Sequence, residues 1–277
     1  GSHESGFPTL LITLPIPTLR SNASFIPDKT DIEITGSRSN TKAIEACKKL
    51  LQWFDMKGGG RLWIHSNIPV GKGMASSSAD IVAAIKATAH SYSLPLTEDI
   101  ISSIASEIEP TDGVMYDDVV AYDYLNGQLI ESLGHLPPFL LIGIDVGGMV
   151  DTIQFNQLLK PYDGRDRNQF LEAYELVKIG MGNKDLSLIC KAATISAHIN
   201  QKILPKPYFS EFERLSNVFQ GGLFIAHSGT VLGILLDSNV PNIIDVFSKI
   251  SKQISLIINN TRIKTFYCFG GYMNYKK

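Results

Sequence analysis

Cysteine is scarce in this chain, which has only three among 277 residues. Cys47, Cys190 and Cys268 are far apart and odd in number, so they fit neither a disulfide framework nor a cysteine-based metal site. We therefore expect a reducing, cytoplasmic setting. Long apolar runs are also missing, since no run reaches the roughly 18 residues that a membrane-spanning helix needs, and no membrane partner is expected.

An excess of charge of one sign is absent as well. The chain has 25 Lys and Arg against 27 Asp and Glu, a formal net charge of −2. Nucleic-acid-binding domains usually show a basic excess, so a nucleic acid is not an expected partner. The length fits one large domain or two modest ones. Gly1-Ser2-His3 resembles the remnant of a cleaved tag, and these residues are left out of the fold prediction.

The most informative segment is Asn67–Ala84, with the sequence NIPVGKGMASSSADIVAA. Residues 61–66, before it, alternate in the manner of a strand, and the alanines and β-branched residues at its end predict a helix. Three residues between them interrupt regular structure: Pro69, Gly71 and Gly73. Three more stand at the helix entrance, where serine is expected to cap free N–H groups: Ser76, Ser77 and Ser78.

This order of strand, glycine loop and helix favours an anion site, because free N–H groups and the positive end of the helix dipole point into the loop. Lys72 adds a positive charge, and the serine hydroxyls are able to reach a metal ion or a phosphate oxygen. A capped helix after a tight turn is the alternative interpretation. The combination of glycines, lysine and serines favours phosphate binding, although neither the Walker motif nor the Rossmann glycine pattern is present.

The segment PVGKGMASSSAD resembles the phosphate-loop motif of the GHMP kinases, roughly P-x-G-x-G-L-G-S-S-A-A. Its G-K-G-M-A-S-S form is most similar to the L-threonine kinases of cobalamin synthesis. The chain departs from the general pattern at Met74, Ala75 and Ser78, and the first two departures are usual in the threonine-kinase branch. The resemblance implies ATP as a cofactor, held by a contiguous set of residues: Pro69, Gly71, Lys72, Gly73, Met74, Ala75, Ser76, Ser77 and Ser78.

Two carboxylates flank a proline in the sequence Glu109-Pro-Thr-Asp112. Such a pair suits Mg²⁺, which prefers hard oxygen ligands, or acid–base chemistry, while a solvated helix exit is the alternative. Threonine kinases of this type carry a similar E-P-T-D stretch. The resemblance therefore implies that Ser77 and Glu109 hold Mg²⁺ and that Ser76, Glu109 and Asp112 form the catalytic group, with Asp112 orienting or deprotonating the acceptor hydroxyl.

Two glycine-containing segments follow predicted buried strands. The first, residues 145–152, is alternatively a tight turn capped by Asp151, and the second, residues 226–233, is alternatively a turn with a hydrogen-bonded histidine. A hydrolase that uses His227 and Ser228 is disfavoured, because adjacent strand residues point apart and no G-x-S-x-G elbow is present. The second segment, AHSGTVLG, resembles the third GHMP motif. The resemblance makes eight residues candidates for holding an amino-acid substrate: Asp145, Gly147, Gly148, Asp151, His227, Ser228, Gly229 and Thr230.

Apolar periodicity predicts strands over 10–17, 24–26, 31–35, 61–66, 138–146, 222–226, 231–236 and 265–270, and helices over 42–54, 97–109, 168–181, 185–201, 207–217 and 241–257, besides the helix that follows the serines. Strands first and helices later indicate an α+β fold. The resemblance implies the GHMP kinase fold, with an N-terminal domain like ribosomal protein S5 domain 2 (residues 4–136) and a C-terminal ferredoxin-like domain (137–277). The first motif of the family cannot be placed, since only Glu4-Ser5-Gly6 precede Phe7.

The resemblance implies an ATP- and Mg²⁺-dependent kinase that phosphorylates the side-chain hydroxyl of L-threonine to give O-phospho-L-threonine. A hydroxy amino acid is then the expected small-molecule partner, and a homodimer is left open. Two alternatives remain. One is a GHMP kinase with another acceptor, such as homoserine, a related hydroxy amino acid or an isoprenoid alcohol. The other is a non-catalytic homologue that binds a nucleotide or a small ligand.

Overall fold

The structure, a computed structural model, describes residues 10–28, 30–37, 40–150, 155, 160–258 and 263–270. The candidate substrate residue Asp151 and the segment where the first motif was sought lie outside these residues. Among the described helices, none combines the length and the apolar character required to cross a membrane. The chain forms two compact units, and the predicted domain division at 136/137 remains a prediction. One unit comprises residues 10–14, Leu19–Pro69 and Ala75–Ser132, and the other Pro15–Thr18, Val70–Met74 and the residues from Leu133 onward.

The first unit combines two small sheets with three helices. Its elements in chain order are β1 (Leu10–Ile12), β2 (Ser21–Asp28), β3 (Ile34–Thr35), α1 (Thr41–Trp53), β4 (Gly59–Ser66), α2 (Ser76–Tyr92), α3 (Glu98–Ile108), β5 (Val119–Asp123) and β6 (Gln128–Gly134). One sheet has the order β1–β5–β6 and the other β2–β4–β3. The strand β4 pairs antiparallel with β2 and parallel with β3.

The core of the first unit joins its helices to strand β5. The buried residues of α1 recur at helical spacing, and Leu50 is fully buried among residues of α2 and α3 such as Ile85 and Ile104. Tyr122 of β5 lies in the same core, where its hydroxyl is 2.5 Å from the Ser102 hydroxyl. This packing fixes the start of α2 and the end of α3, which are the two places where the sequence predicts functional residues.

The second unit is built on one antiparallel sheet. Its elements are β7 (Phe139–Asp145), α4 (Gly164–Asn183), α5 (Leu186–Gln201), α6 (Phe209–Val218), β8 (Gly222–Ile225), β9 (Val231–Asp237), α7 (Ile243–Ile257) and β10 (Lys264–Gly270). The strand order is β10–β7–β9–β8, so β7 is an interior strand. Every residue of β7 except its last is buried, which explains its nearly continuous apolar sequence. The exception is Asp145, which leaves a carboxylate at the end of a buried strand.

The sequence predicted every helix named above, with ends that agree to within about one turn. It did not predict β5 and β6. The signal for this hairpin is the pair Asn126-Gly127, a turn sequence that follows the apolar run of β5. The Asp123 carboxylate stabilises the turn by accepting from the backbone N–H groups of Leu125 and Asn126 at 3.2 Å each.

Two strand predictions near the N-terminus were wrong in extent. The strand predicted over residues 10–17 ends at Ile12, and Pro15 and Pro17, which lack an N–H group, follow it. The break predicted at Pro27 is absent, because β2 continues through it to Asp28. Since β2 is an edge strand, it tolerates a proline that makes no ladder bond on its outer side.

A truncation in the core of the first unit tests this packing. Leu50→Ala should lower the free energy of unfolding by about 2–5 kcal/mol, because it removes buried methyl groups and leaves a cavity. Urea unfolding followed by circular dichroism measures the change. The control is Lys48→Ala on the exposed side of α1, which should change stability by no more than about 0.5 kcal/mol. Equal effects of the two variants would contradict the assignment of Leu50 to the core.

Candidate active site

The glycine-rich loop adopts a backbone that side chains disfavour. Gly71 and Gly73 have φ values of +71° and +73°, and Ala75 has a φ of 56°. Three left-handed residues at alternate positions make a tight loop, and glycine adopts this conformation without the strain that a Cβ would cause. Such loops turn successive backbone N–H groups toward one side, which is how backbone nests bind anions. Val70–Met74 belongs to the second unit, and the helix that follows belongs to the first.

The prediction that serines cap this helix is wrong. Ala75 occupies the N-cap position of α2 without any side-chain cap, and Ser76, Ser77 and Ser78 form the first helical turn instead. The first bond of the helix runs from the N–H of Ala79 to the carbonyl of Ala75 at 2.9 Å. The N–H groups of the first turn are therefore left for another acceptor, as at helix termini that bind anions.

Lys72 is held by an ion pair inside the second unit. Its Nζ lies 2.8 Å from Oδ2 of Asp145, with side-chain exposures of 17% and 15%, and donates to the carbonyl of Gly148 at 2.6 Å. The other oxygen of Asp145 accepts from Thr230 Oγ1 at 2.6 Å and from the N–H of Gly147 at 3.0 Å. Burial alone raises the pKa of Asp145, but these donors outweigh burial and lower the pKa below its ordinary value. Asp145 is thus an ionised anchor for Lys72.

The turn at 227–230 packs directly on the loop. The N–H of Thr230 donates to the carbonyl of Lys72 at 3.2 Å. Gly229 lies so close that a Cβ at this position would collide with the carbonyl group of Lys72 and the nitrogen of Gly73. The structure therefore brings the predicted third motif onto the predicted phosphate loop, and a side chain at residue 229 would disturb the loop.

His227 is a neutral, hydrogen-bonded residue of this turn. Its Nε2 lies 2.8 Å from the Ser196 hydroxyl, and its carbonyl accepts from Asn200 Nδ2 at 3.0 Å. Burial, reinforced by the positive charges of Lys206 and Lys160, lowers the pKa of His227 to about 4. A histidine with so low a pKa is a weak base near neutral pH, and its ring is bonded to Ser196 rather than to Ser228. This geometry agrees with the rejection of a hydrolase that uses Ser228.

The acidic turn of the first unit is not a solvated helix exit. Asp112 is bonded to Ser78, whose hydroxyl donates to Oδ2 at 3.3 Å and accepts from the Asp112 N–H at 3.2 Å. Burial raises the pKa of Asp112 to about 6; the Ser78 bond opposes this shift, and the neighbouring Glu109 charge adds to it. The Glu109 side chain is only 8% exposed and forms an ion pair with Lys42 of α1.

Sequence reasoning missed Lys42, Ser196 and Asn200 as neighbours of these residues. Lys42 is 67 positions from Glu109, and Asn200 is 27 positions from His227. Neither lies in a motif, and no local pattern points to either. Within the described part of the chain the hydroxyls of Ser76, Ser77 and Ser228 have no hydrogen-bond partner in the protein. These hydroxyls are therefore available to a ligand, as the sequence predicts.

Comparison with known proteins places these features in a family context. Residues 41–124 match the family model described as GHMP kinases N terminal domain. The chain is 31% identical to the L-threonine kinase of Salmonella typhimurium over 195 residues, which cover 70% of this chain and 65% of that enzyme. The chain thus spans slightly less than two thirds of the length of this curated relative.

Solved structures show the same fold at much lower identity. The homoserine kinase of Cytophaga hutchinsonii superposes with a TM-score of 0.66 at 14% identity, over 90% of this chain and 84% of that one. The L. major mevalonate kinase superposes with a TM-score of 0.67 at 12% identity, over 95% and 96% of the two chains. These likenesses confirm the predicted α+β fold of the GHMP kinase type.

Gly229→Ala tests the contact between the turn and the loop. The added methyl group should push residues 71–73 away and lower the free energy of unfolding by about 1–3 kcal/mol, as overpacking does. Hydrogen exchange should become faster in the peptide that contains residues 70–75, as measured by mass spectrometry. The control is Gly182→Ala in α4, where a Cβ meets open space and where alanine should stabilise the helix by about 0.5–1 kcal/mol. Unchanged exchange in Gly229→Ala would show that the turn does not support the loop.

Proposed function

We propose that this chain, whose residues 41–124 match the GHMP kinase N-terminal domain, is a kinase that transfers the γ-phosphoryl group of ATP to the side-chain hydroxyl of an amino acid. L-threonine, giving O-phospho-L-threonine, is the acceptor that the identity to an L-threonine kinase supports. The observation that carries the proposal is the loop at 70–74: it has left-handed residues at alternate positions, as in anion-binding nests, contains Lys72, and runs directly into an uncapped helix.

The triphosphate of ATP fits this loop for two reasons. Phosphate oxygens accept from backbone N–H groups at a helix start, and the helix dipole favours their negative charge. Lys72 supplies a point charge that Asp145 and the carbonyl of Gly148 hold in place. Pro69, Met74 and the three serines of the first turn complete the proposed set of nucleotide contacts.

Magnesium would be held by Ser77 and Glu109, with Ser76 as a further oxygen donor. No group of three or more His, Cys, Asp and Glu residues forms a metal site in the residues that the structure describes. The donor set still fits Mg²⁺, which commonly takes one or two protein carboxylates together with substrate phosphates. When bound with ATP, the ion neutralises charge on the phosphoryl group in transfer.

Asp112 is the proposed partner of the acceptor hydroxyl. A general base works best when its pKa lies near the operating pH, and burial raises the pKa of Asp112 to about 6. Near neutral pH the carboxylate is ionised and able to orient the hydroxyl or to accept its proton. Ser78 fixes its position through two hydrogen bonds. Phosphoryl transfer depends mainly on positioning and electrostatic stabilisation, so these groups suffice for the reaction without covalent catalysis.

A kinase with another acceptor is the second candidate. The structural likeness to a homoserine kinase and to a mevalonate kinase favours it, because the same fold accepts different alcohols. The test is an assay of ADP release, with mass spectrometry of the product, on L-threonine, L-serine, L-homoserine and mevalonate. We expect the highest kcat/KM for L-threonine. Preference for another alcohol would identify that alcohol as the acceptor. ATP binding without turnover on any of the four alcohols would contradict the kinase proposal.

Removal of either proposed carboxylate should stop the reaction. Asp112→Asn and Glu109→Gln should each lower kcat by about 100-fold or more, the usual scale for loss of a positioned acid–base group. Circular dichroism should show an unchanged fold for both variants. The control is Asp117→Asn on the exposed part of the same connection, which should retain full turnover. Near-normal kcat in one of the first two variants would remove the role proposed for that residue.

The raised pKa of Asp112 predicts two opposite pH effects. Activity should fall as the pH drops through about 6, because the protonated carboxyl cannot accept a proton. The free energy of unfolding should show the reverse trend. The folded protein binds the Asp112 proton more tightly than the unfolded chain, whose ordinary value is 3.8, so this group destabilises the protein as the pH rises from about 4 to 6.

Asp112→Asn separates the two effects. At pH values above about 7 the variant should be more stable than the original protein by up to about 3 kcal/mol, and the difference should vanish below about pH 4. Urea unfolding at both pH values measures it. If the variant is less stable than the original protein near neutral pH, the ionised Asp112 carboxylate does not lower the free energy of unfolding.

A further inference from the structure

Lys206 is a buried cation that no anion neutralises in the described part of the chain. It lies in the connection between α5 and α6, is 4% exposed, and its Nζ has no hydrogen-bond partner there. Burial lowers its pKa to about 8, so the side chain still carries its charge near neutral pH. A charge buried without a partner is unfavourable for folding, and such groups commonly serve a ligand.

The backbone of Lys206 is fixed from both sides. Gln201 Oε1 accepts from the Lys206 N–H at 2.8 Å, and Gln201 Nε2 donates to the Lys206 carbonyl at 3.2 Å. Pro205 and Pro207 flank it, and each restricts φ at its own position. The side chain therefore starts from a rigid point, as expected of a binding residue and not of a surface lysine that happens to fold inward.

A second buried polar atom without a partner belongs to the last turn of α5, where the connection that contains Lys206 begins. Asn200 is 3% exposed, and its Oδ1 has no hydrogen-bond partner among the described residues. Its Nδ2 donates to the carbonyl of His227 at 3.0 Å, which orients the amide and leaves Oδ1 as the unused acceptor. The described residues therefore offer a ligand one positively charged donor, Lys206 Nζ, and one acceptor, Asn200 Oδ1.

Both residues act on His227, in the turn that packs on the phosphate loop. Asn200 bonds the His227 carbonyl, and the Lys206 charge acts on the His227 ring. The ring is neutral at physiological pH and its Nε2 lies on Ser196, so it supplies no negative charge. The local field therefore selects an anionic group close to the segment that is proposed to hold ATP.

We propose that Lys206 and Asn200 form the subsite for the main-chain end of the amino-acid substrate. The Lys206 ammonium binds the α-carboxylate, and Asn200 Oδ1 accepts a hydrogen bond from the α-ammonium. The identity of this ligand rests on the proposed function. A zwitterion satisfies both atoms at once, and it breaks no existing hydrogen bond, since neither atom has one.

This subsite would set specificity for the acceptor. An alcohol without a carboxylate leaves the Lys206 charge buried and unpaired, and sites built around a polar contact strongly reject analogues that lack it. The preference for an amino-acid acceptor therefore arises because Lys206 Nζ and Asn200 Oδ1 are already buried without partners in the free protein.

Comparison of L-threonine with L-threoninamide isolates the carboxylate contact. The original protein should prefer L-threonine in kcat/KM by about 10- to 100-fold, the range for loss of a charged hydrogen bond. In Lys206→Met, which keeps the length of the side chain without its charge, the ratio should fall close to one. The control is Lys249→Met, at an exposed lysine of α7 that is paired with Asp245, and its ratio should stay within about twofold of the original. A Lys206→Met variant that keeps the preference would overturn the subsite.

A binding measurement tests the subsite without turnover. L-Threonine should raise the Tm of the original protein in the absence of ATP, L-threoninamide should raise it less, and neither should raise the Tm of Lys206→Met. The ligand-free variant should itself melt no lower than the original, because it loses an unpaired buried charge. If the two ligands shift the original protein equally, or if L-threonine shifts it not at all, the subsite is wrong.

The acceptor assay and the binding measurement fail independently. Absence of turnover with every hydroxy amino acid would end the proposed function. A carboxylate-dependent Tm shift in that same protein would still support the subsite. The comparison of the two ligands on the original protein needs no variant, so it stays decisive even if Lys206→Met does not fold.

Discussion

The ion pair between Lys72 and Asp145 organises the second unit around its glycine loop. It joins a lysine in an irregular segment to the last residue of a buried strand, and Thr230 of the 227–230 turn bonds the same carboxylate. The close approach of Gly229 to the loop depends on the same arrangement. A loop with left-handed residues at alternate positions has few internal bonds, so its shape is set by the strand end and the turn that hold it.

Polar groups that are costly to bury recur at the residues proposed for function. Asp112 is held in the first unit with a raised pKa, and Lys206 is held in the second without a partner. Each lowers the stability of the ligand-free fold, and the proposed function gives each of them a contact with the substrate. Proteins commonly give up stability at active sites in this way. Structural polar groups of this chain behave differently: the Asp123 carboxylate, for example, accepts from two backbone N–H groups of its own turn.

Local patterns were sufficient for much of the fold. Helical spacing of apolar residues predicted the helices, and the uninterrupted apolar sequence of β7 predicted an interior strand. The hairpin of β5 and β6 was missed because the residues of β6 are mostly exposed and carry little periodicity. The prediction of serine caps was wrong because Ala75, in a left-handed conformation, occupies the N-cap position of α2. An alanine at this position does not indicate such a conformation.

The sequence by itself determined which segment resembles a phosphate loop, where the paired carboxylates stand, and which family the chain resembles, because these depend on residues close together in the chain. Only the tertiary structure decided that Asp145 anchors Lys72, that Lys42 neutralises Glu109, and that Lys206 is left without a counter-charge. Those properties depend on burial and on charges that are distant in sequence. Desolvation and Coulomb energies are set by distance in space, and no spacing along the chain encodes them.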